Sequence, residues 1–113
     1  MTQPAETYTN LRSMILSTNP KDIGIEQSEA VPNVWGVLME FQISDTVVTL
    51  VSLADGTTSM YFDSGGGIIG AGQHDGVARA SKNFVALAES YYNQVEPATQ
   101  FPLPLPGRVR FIF

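Results

Sequence analysis

The sequence predicts an α+β domain: an antiparallel meander of three to five strands, with an N-terminal helix and a long helix after the third main strand packed on one face. Three observations predict it. Residues 35–43 alternate, with Trp35, Val37, Met39, Phe41 and Ile43 set against Gly36, Leu38, Glu40 and Gln42, which is the period of a half-buried strand. Asp55-Gly56 separates two β-branched runs, a strong short-range hairpin signal. Val77, Ser81, Phe84, Ala88, Tyr91 and Val95 recur at spacings of four and three, the period of an amphipathic helix. A chain of 113 residues supports one core of this kind, so residues 1–113 are read as a single domain.

The elements follow in order. The first helix is predicted over residues 4–18. Pro4 suits the first turn, where its missing N–H costs nothing. Tyr8, Leu11, Ile15 and Thr18 form an apolar face with Met14 beside it, and Asn19-Pro20 stops the helix. A short edge strand is expected over Ile23–Gln27. The main strands are placed at about 34–43, 46–53 and 57–62. A type I′ turn at Asp55-Gly56 would pair Leu53 with Thr58, Val51 with Met60 and Thr49 with Phe62. In the first hairpin, a three-residue loop over Ser44-Asp45-Thr46 would pair Phe41 with Thr49 and Met39 with Val51. That register gathers the most apolar side chains on one side; a Phe41–Val48 pair would contradict it.

A glycine-rich loop spans residues 63–73, and a helix is predicted over 74–95, ended by Glu96-Pro97. The proline-rich arm, 97–107, must be extended, because each proline fixes its own φ and restricts the residue before it. It is expected to lay Phe101, Leu103 and Leu105 along the body. Its prolines are two apart, whereas a PxxP ligand needs them three apart. A last strand is predicted over 108–113, with Val109, Phe111 and Phe113 on one face and Arg108 and Arg110 on the other. The pattern runs to the last residue, which implies either a truncated chain or a terminus built into the sheet.

The formal net charge is −5, from 6 Lys and Arg against 11 Asp and Glu. That balance argues against nucleic acid as a partner, because binding a polyanion requires a basic face. With no cysteine, disulfides, zinc ribbons and thiol catalysis are excluded. The start has neither a basic n-region nor an apolar h-region, so no signal peptide is read. No apolar run approaches a membrane span. The expected setting is the cytoplasm, with no membrane contact.

Charged residues make up 15% of the chain, against about 25% in an average domain. So little charge implies an uncovered apolar patch and hence an interface. Leu38, Val48, Leu50 and Tyr61, read as the outer sheet face, are the candidate interface residues.

Gly65-x-Gly67-x-x-Gly70 formally matches the dinucleotide fingerprint. The context does not: the preceding strand belongs to an antiparallel hairpin, and the loop runs on past Gly70. No Gly-Lys-Ser/Thr follows, which excludes a Walker A loop. A small-anion site remains open, built from Gly65, Gly66, Gly67 and Gly70 with His74 and Arg79 at the helix start. The ordinary alternative is a tight crossing of backbone that needs glycine. His74-Asp75 pairs the single histidine with a carboxylate, but Asp75 suits a helix cap better than a catalytic dyad.

Glu40, Asp45 and Asp63 cannot be brought together from spacing alone. A transition-metal site is unexpected with one histidine and no cysteine. No catalytic residues and no cofactor are expected. The order helix–meander–helix loosely resembles that of profilin-like and roadblock-like modules.

These features point to a small acidic binding or assembly module acting through a protein interface, as a homodimer or with another protein such as a basic target. The alternative is a small-ligand or anion sensor, or an enzyme, centred on the glycine loop.

Overall fold

The alternating stretch forms strand β1, Gly36–Ile43, and the two runs around Asp55-Gly56 form β2, Thr46–Leu53, and β3, Thr58–Phe62. A two-residue strand β4, Gly67–Ile68, and a C-terminal strand β5, Val109–Ile112, complete an antiparallel sheet of order β4-β3-β2-β1-β5. Helix α1 is Glu6–Leu16 and helix α2 is Asp75–Ser90. The computed structural model describes residues 4–26 and 28–113. The class is therefore α+β, with a five-stranded antiparallel sheet, an N-terminal helix and a later long one.

The helices do not share a face. Tyr8 of α1 bonds to Thr49, an odd residue of β2, whereas Ser81 of α2 bonds to Ser52, an even one. Successive side chains of a strand point to opposite faces, so α1 and α2 lie on opposite sides of the sheet. This corrects the expectation of both helices on one face. Tyr8, Ile25, Leu38, Val51, Leu53 and Tyr61 form the core under α1, joined by Leu11, Ile15, Leu16 and Trp35. Val34, Val37, Val85 and Ala88 form the core under α2, joined by Val31 and Phe84.

Both hairpin registers differ from expectation by one residue. Ile43 pairs with Thr46 and Phe41 with Val48, so the first turn is the two-residue Ser44-Asp45, with Ser44 at φ 54°. In the second hairpin Ser52 pairs with Thr58 and Leu50 with Met60. The Leu53 N–H bonds to the Thr57 carbonyl and the Gly56 N–H to the Leu53 carbonyl, leaving a three-residue loop, Ala54-Asp55-Gly56. Gly56 alone is left-handed there, at φ 92°, whereas a type I′ turn needs two such residues.

The reason for both shifts is common. The expected registers collected apolar residues on one side, as a one-sided sheet requires. A sheet with a helix on each face places apolar residues on both, and a one-residue slip exchanges the two sets.

Smaller differences follow local chemistry. Pro20–Ile23 is a short 3-10 turn closed by Gly24 in the left-handed region, so the edge strand expected at 23–27 is absent over its described residues; Gln27 lies outside them. Helix α2 stops at Ser90, and a 3-10 turn over Tyr92–Gln94 replaces its expected last turn. In the arm, Leu103 joins the core under α1 and Pro104 is buried, but Leu105 is 67% exposed. Met14, expected beside the apolar face of α1, is exposed.

Candidate functional site

Residues paired directly across neighbouring strands share a face, so the register defines what lies on the α2 side. One row is Val37, Ser52 and Thr58, and α2 covers it. The hydroxyls of Ser52, Thr58 and Ser81 meet there in a buried cluster. The next row is Phe111, Met39, Leu50, Met60 and Ile68, spanning all five strands. The row beyond is Val109, Phe41, Val48 and Phe62.

Helix α2 meets these rows through Phe84, whose ring meets Phe111 edge-on with centroids 6.2 Å apart. Ile68 is 54%, Val109 51% and Phe111 50% exposed; Met39, Phe41, Leu50, Met60 and Phe62 are half-buried and belong to neither core. Nine apolar side chains thus form one continuous surface without a charge or hydrogen-bonding side chain among them.

The residues proposed from sequence as an interface are not brought together. Leu38 and Tyr61 are buried beneath α1, and only Val48 and Leu50 lie on the open face, Val48 itself buried and Leu50 half-buried. The register shift explains this: besides Val48 and Leu50, the β1–β3 side chains of the open patch are Met39, Phe41, Met60 and Phe62, which were expected to form the core.

The glycine loop has a structural account. The Gly65 N–H bonds to the Phe62 carbonyl, and the Phe62 N–H to the Gly66 carbonyl, turning the chain back so that β4 pairs with β3. A Cβ on Gly67 would stand 2.6 Å from the Met60 carbonyl oxygen, and one on Gly72 2.3 Å from that of Gly56. Backbone contact, and not ligand approach, therefore sets the need for glycine at these two positions. Gly70 lies in the left-handed region at φ 80°. His74 and Arg79 are both exposed, and the His74 side chain caps nothing. Asp75 is in the first turn of α2.

A buried polar network on the α1 side was not anticipated. Glu40 is fully buried, and Arg12 grips it with two bonds of 2.7 Å, from Nε to Oε2 and from Nη2 to Oε1. Thr49 Oγ1 donates to Oε2 at 2.7 Å. Its one proton being committed, Thr49 accepts from the Tyr8 hydroxyl, 2.7 Å away. Arg12 Nη2 also donates to the Phe101 carbonyl at 2.7 Å.

The hydrogen bond to Glu40 raises the Arg12 pKa above its ordinary value, against the opposing effect of burial. Burial raises the pKa of Tyr8, opposed by its bond to Thr49. Both oxygens of Glu40 are occupied and solvent does not reach it, so the group ties α1, β1, β2 and the arm together.

Two sequence signals marked this network. Arg12 sits one turn from Tyr8 on the apolar stripe of α1, and Glu40 interrupts a strand that is apolar on both faces.

Glu89, near the end of α2, accepts from the backbone N–H groups of Asn33 (2.7 Å) and Val34 (2.9 Å) and from Asn33 Nδ2 (3.2 Å). Burial works to raise its pKa, but the three hydrogen bonds outweigh it and the net shift is downward.

Among the described residues no group of three or more His, Asp or Glu side chains could hold a metal ion. Among the same residues no helix is long and apolar enough to cross a membrane. No family model, no curated protein and no solved structure matches the chain.

Proposed function

We propose that the protein is an assembly module whose docking surface is the open half of the α2 face, and that a second copy of the chain covers it. The single observation behind this reading is the pair of apolar rows from Val109 and Phe111 across to Ile68. Their exposed fractions amount to on the order of 500 Å² of apolar surface, within the range of the largest patches monomers carry, which are often functional.

Two such faces related by a two-fold axis would bury about 1,000 Å² before any rim is counted, the threshold for a specific interface. A sheet face without charges also suits sheet-on-sheet packing, in which the two inner faces interdigitate. Self-association needs no charge complement, which suits a patch whose residues carry neither sign.

Sedimentation velocity over a wide concentration range tests the reading. A reversible monomer–dimer equilibrium is expected for the parent chain. Ile68→Lys and Val109→Lys lie at opposite edges of the patch and are more than half exposed, so each fold should survive while the equilibrium shifts to monomer. A parent chain that stays monomeric at every concentration, or variants that dimerise equally well, would refute it.

A further inference from the structure

A second surface lies on the other side of the sheet. A cleft of about 880 Å³ runs between the C-terminal end of α1, β5 and the strap over residues 92–101. Small-molecule sites fall at roughly 300–1,000 Å³ and combine apolar walls with a few placed polar groups. Here the sheet supplies Leu38, Leu53 and Ile112, the residue before β1 is Trp35, α1 supplies Leu16 and the strap supplies Phe101.

Two charged residues line the cleft, Arg110 and Glu96. Glu96 stands on the exposed strap, and Arg110 is half-buried on β5. Arg110 faces Glu40 across the β1–β5 pair, yet both oxygens of Glu40 are already taken by Arg12 and Thr49. Among the described residues Arg110 makes no ion pair. The cleft thus holds a guanidinium that does not pair with the acid beside it, and a guanidinium pairs best with a carboxylate.

From this geometry we infer that the cleft binds a small amphipathic carboxylate, its apolar body along Trp35, Leu38 and Ile112 and its anionic head on Arg110. Arg110 lies on the side of the sheet opposite the assembly surface, and the two surfaces meet at Phe111, which lines the cleft and ends the apolar row.

Trp35 is the only tryptophan in the chain and it lines the cleft, so its emission reports occupancy directly. The probes are dodecanoate, dodecan-1-ol and dodecylamine, each titrated below its micelle concentration. Dodecanoate should change the Trp35 emission saturably and bind about tenfold or more tightly than the alcohol, the increment of a hydrogen bond to a charged group. Dodecylamine should bind more weakly than either.

Arg110→Met should bring dodecanoate down to the affinity of the alcohol, and Arg110→Lys should keep part of the preference. Circular dichroism melts confirm that both variants fold, and the comparison of the three probes on the parent chain needs no variant. An unchanged Trp35 emission with all three, equal binding of acid and alcohol, preference for the amine, or a dodecanoate preference that survives Arg110→Met would overturn the assignment.

Discussion

Replacing Arg12 with methionine should destabilise the fold far more than the loss of an exposed ion pair. The Glu40 carboxylate is fully buried and loses two of its three hydrogen bonds, keeping only the one from Thr49. Removing one partner of a buried pair costs about 3–5 kcal/mol, because the remaining charge is stranded in a poorly polarisable interior. A domain of this size has a total stability of about 5–15 kcal/mol. With an unfolding entropy near 2.1 cal/mol/K per residue, the melting temperature should fall by roughly 12–20 °C.

The Phe101 carbonyl loses its donor in the same substitution, so the arm should loosen too. Urea unfolding followed by far-ultraviolet circular dichroism and by Trp35 emission measures the change. The double variant Arg12→Met/Glu40→Met should recover most of the loss, since an apolar pair of similar volume often equals a buried ion pair. A loss below about 1 kcal/mol for Arg12→Met, the scale of an exposed pair, or simple additivity in the double variant, would refute the reasoning.

Three other outcomes follow from the structure. Gly72→Ala places a Cβ 2.3 Å from the Gly56 carbonyl oxygen, whereas Gly76, inside α2, has nothing within 4 Å of its Cβ position. Thermal melts should therefore show Gly72→Ala destabilised by about 1–3 kcal/mol and Gly76→Ala stabilised by about 0.5–1 kcal/mol. Glu89 has a folded pKa below its ordinary 4.5, with burial opposing and the bonds from Val34 and Asn33 prevailing. Its contribution to stability is present above pH 4.5 and is lost as pH falls through the lower folded value. In urea titrations at a series of acidic pH values, Glu89→Gln should flatten that part of the stability profile. Burial raises the pKa of Tyr8 and of Tyr61, with hydrogen bonds to Thr49 and Ser59 opposing, above the ordinary 10.0. The corresponding stability is present below pH 10.0 and lost as pH rises further. Tyrosinate absorbance should show both phenols ionising late, and Tyr8→Phe and Tyr61→Phe should each remove one late step.

Element identity was legible in the sequence because periodicity is local. Residues 35–43 alternate and all but Trp35 become β1, and the spacing from Val77 to Ala88 becomes the core of α2. Register was not legible, because it depends on how many faces of the sheet are covered. A single buried face favours Phe41 opposite Thr49; two buried faces favour Phe41 opposite Val48, which is the pair formed.

The open patch followed the same logic. Low charge pointed to an open apolar patch on the sheet, but of its β1–β3 residues only Val48 and Leu50 were assigned to the outer face, while Met39, Phe41, Met60 and Phe62 were assigned to the core. The Arg12–Glu40 network joins positions 28 residues apart, and no local pattern encodes which strand acid an arginine on a helix will meet. Gly67 shows the reverse: its place in the Gly65-x-Gly67-x-x-Gly70 spacing invited a ligand, while contact with the Met60 carbonyl accounts for it.

The bond from Arg12 to the Phe101 carbonyl spans 89 positions and orders events during synthesis. Helix α1 is made before either partner of its arginine, and the guanidinium finds them only when Glu40 and then Phe101 emerge. Contacts so far apart in the chain carry a large closure entropy and form late. Helix α1 can dock on β1 and β2 through Glu40 and Thr49 before the arm is made, and the bond to Phe101 closes over it last.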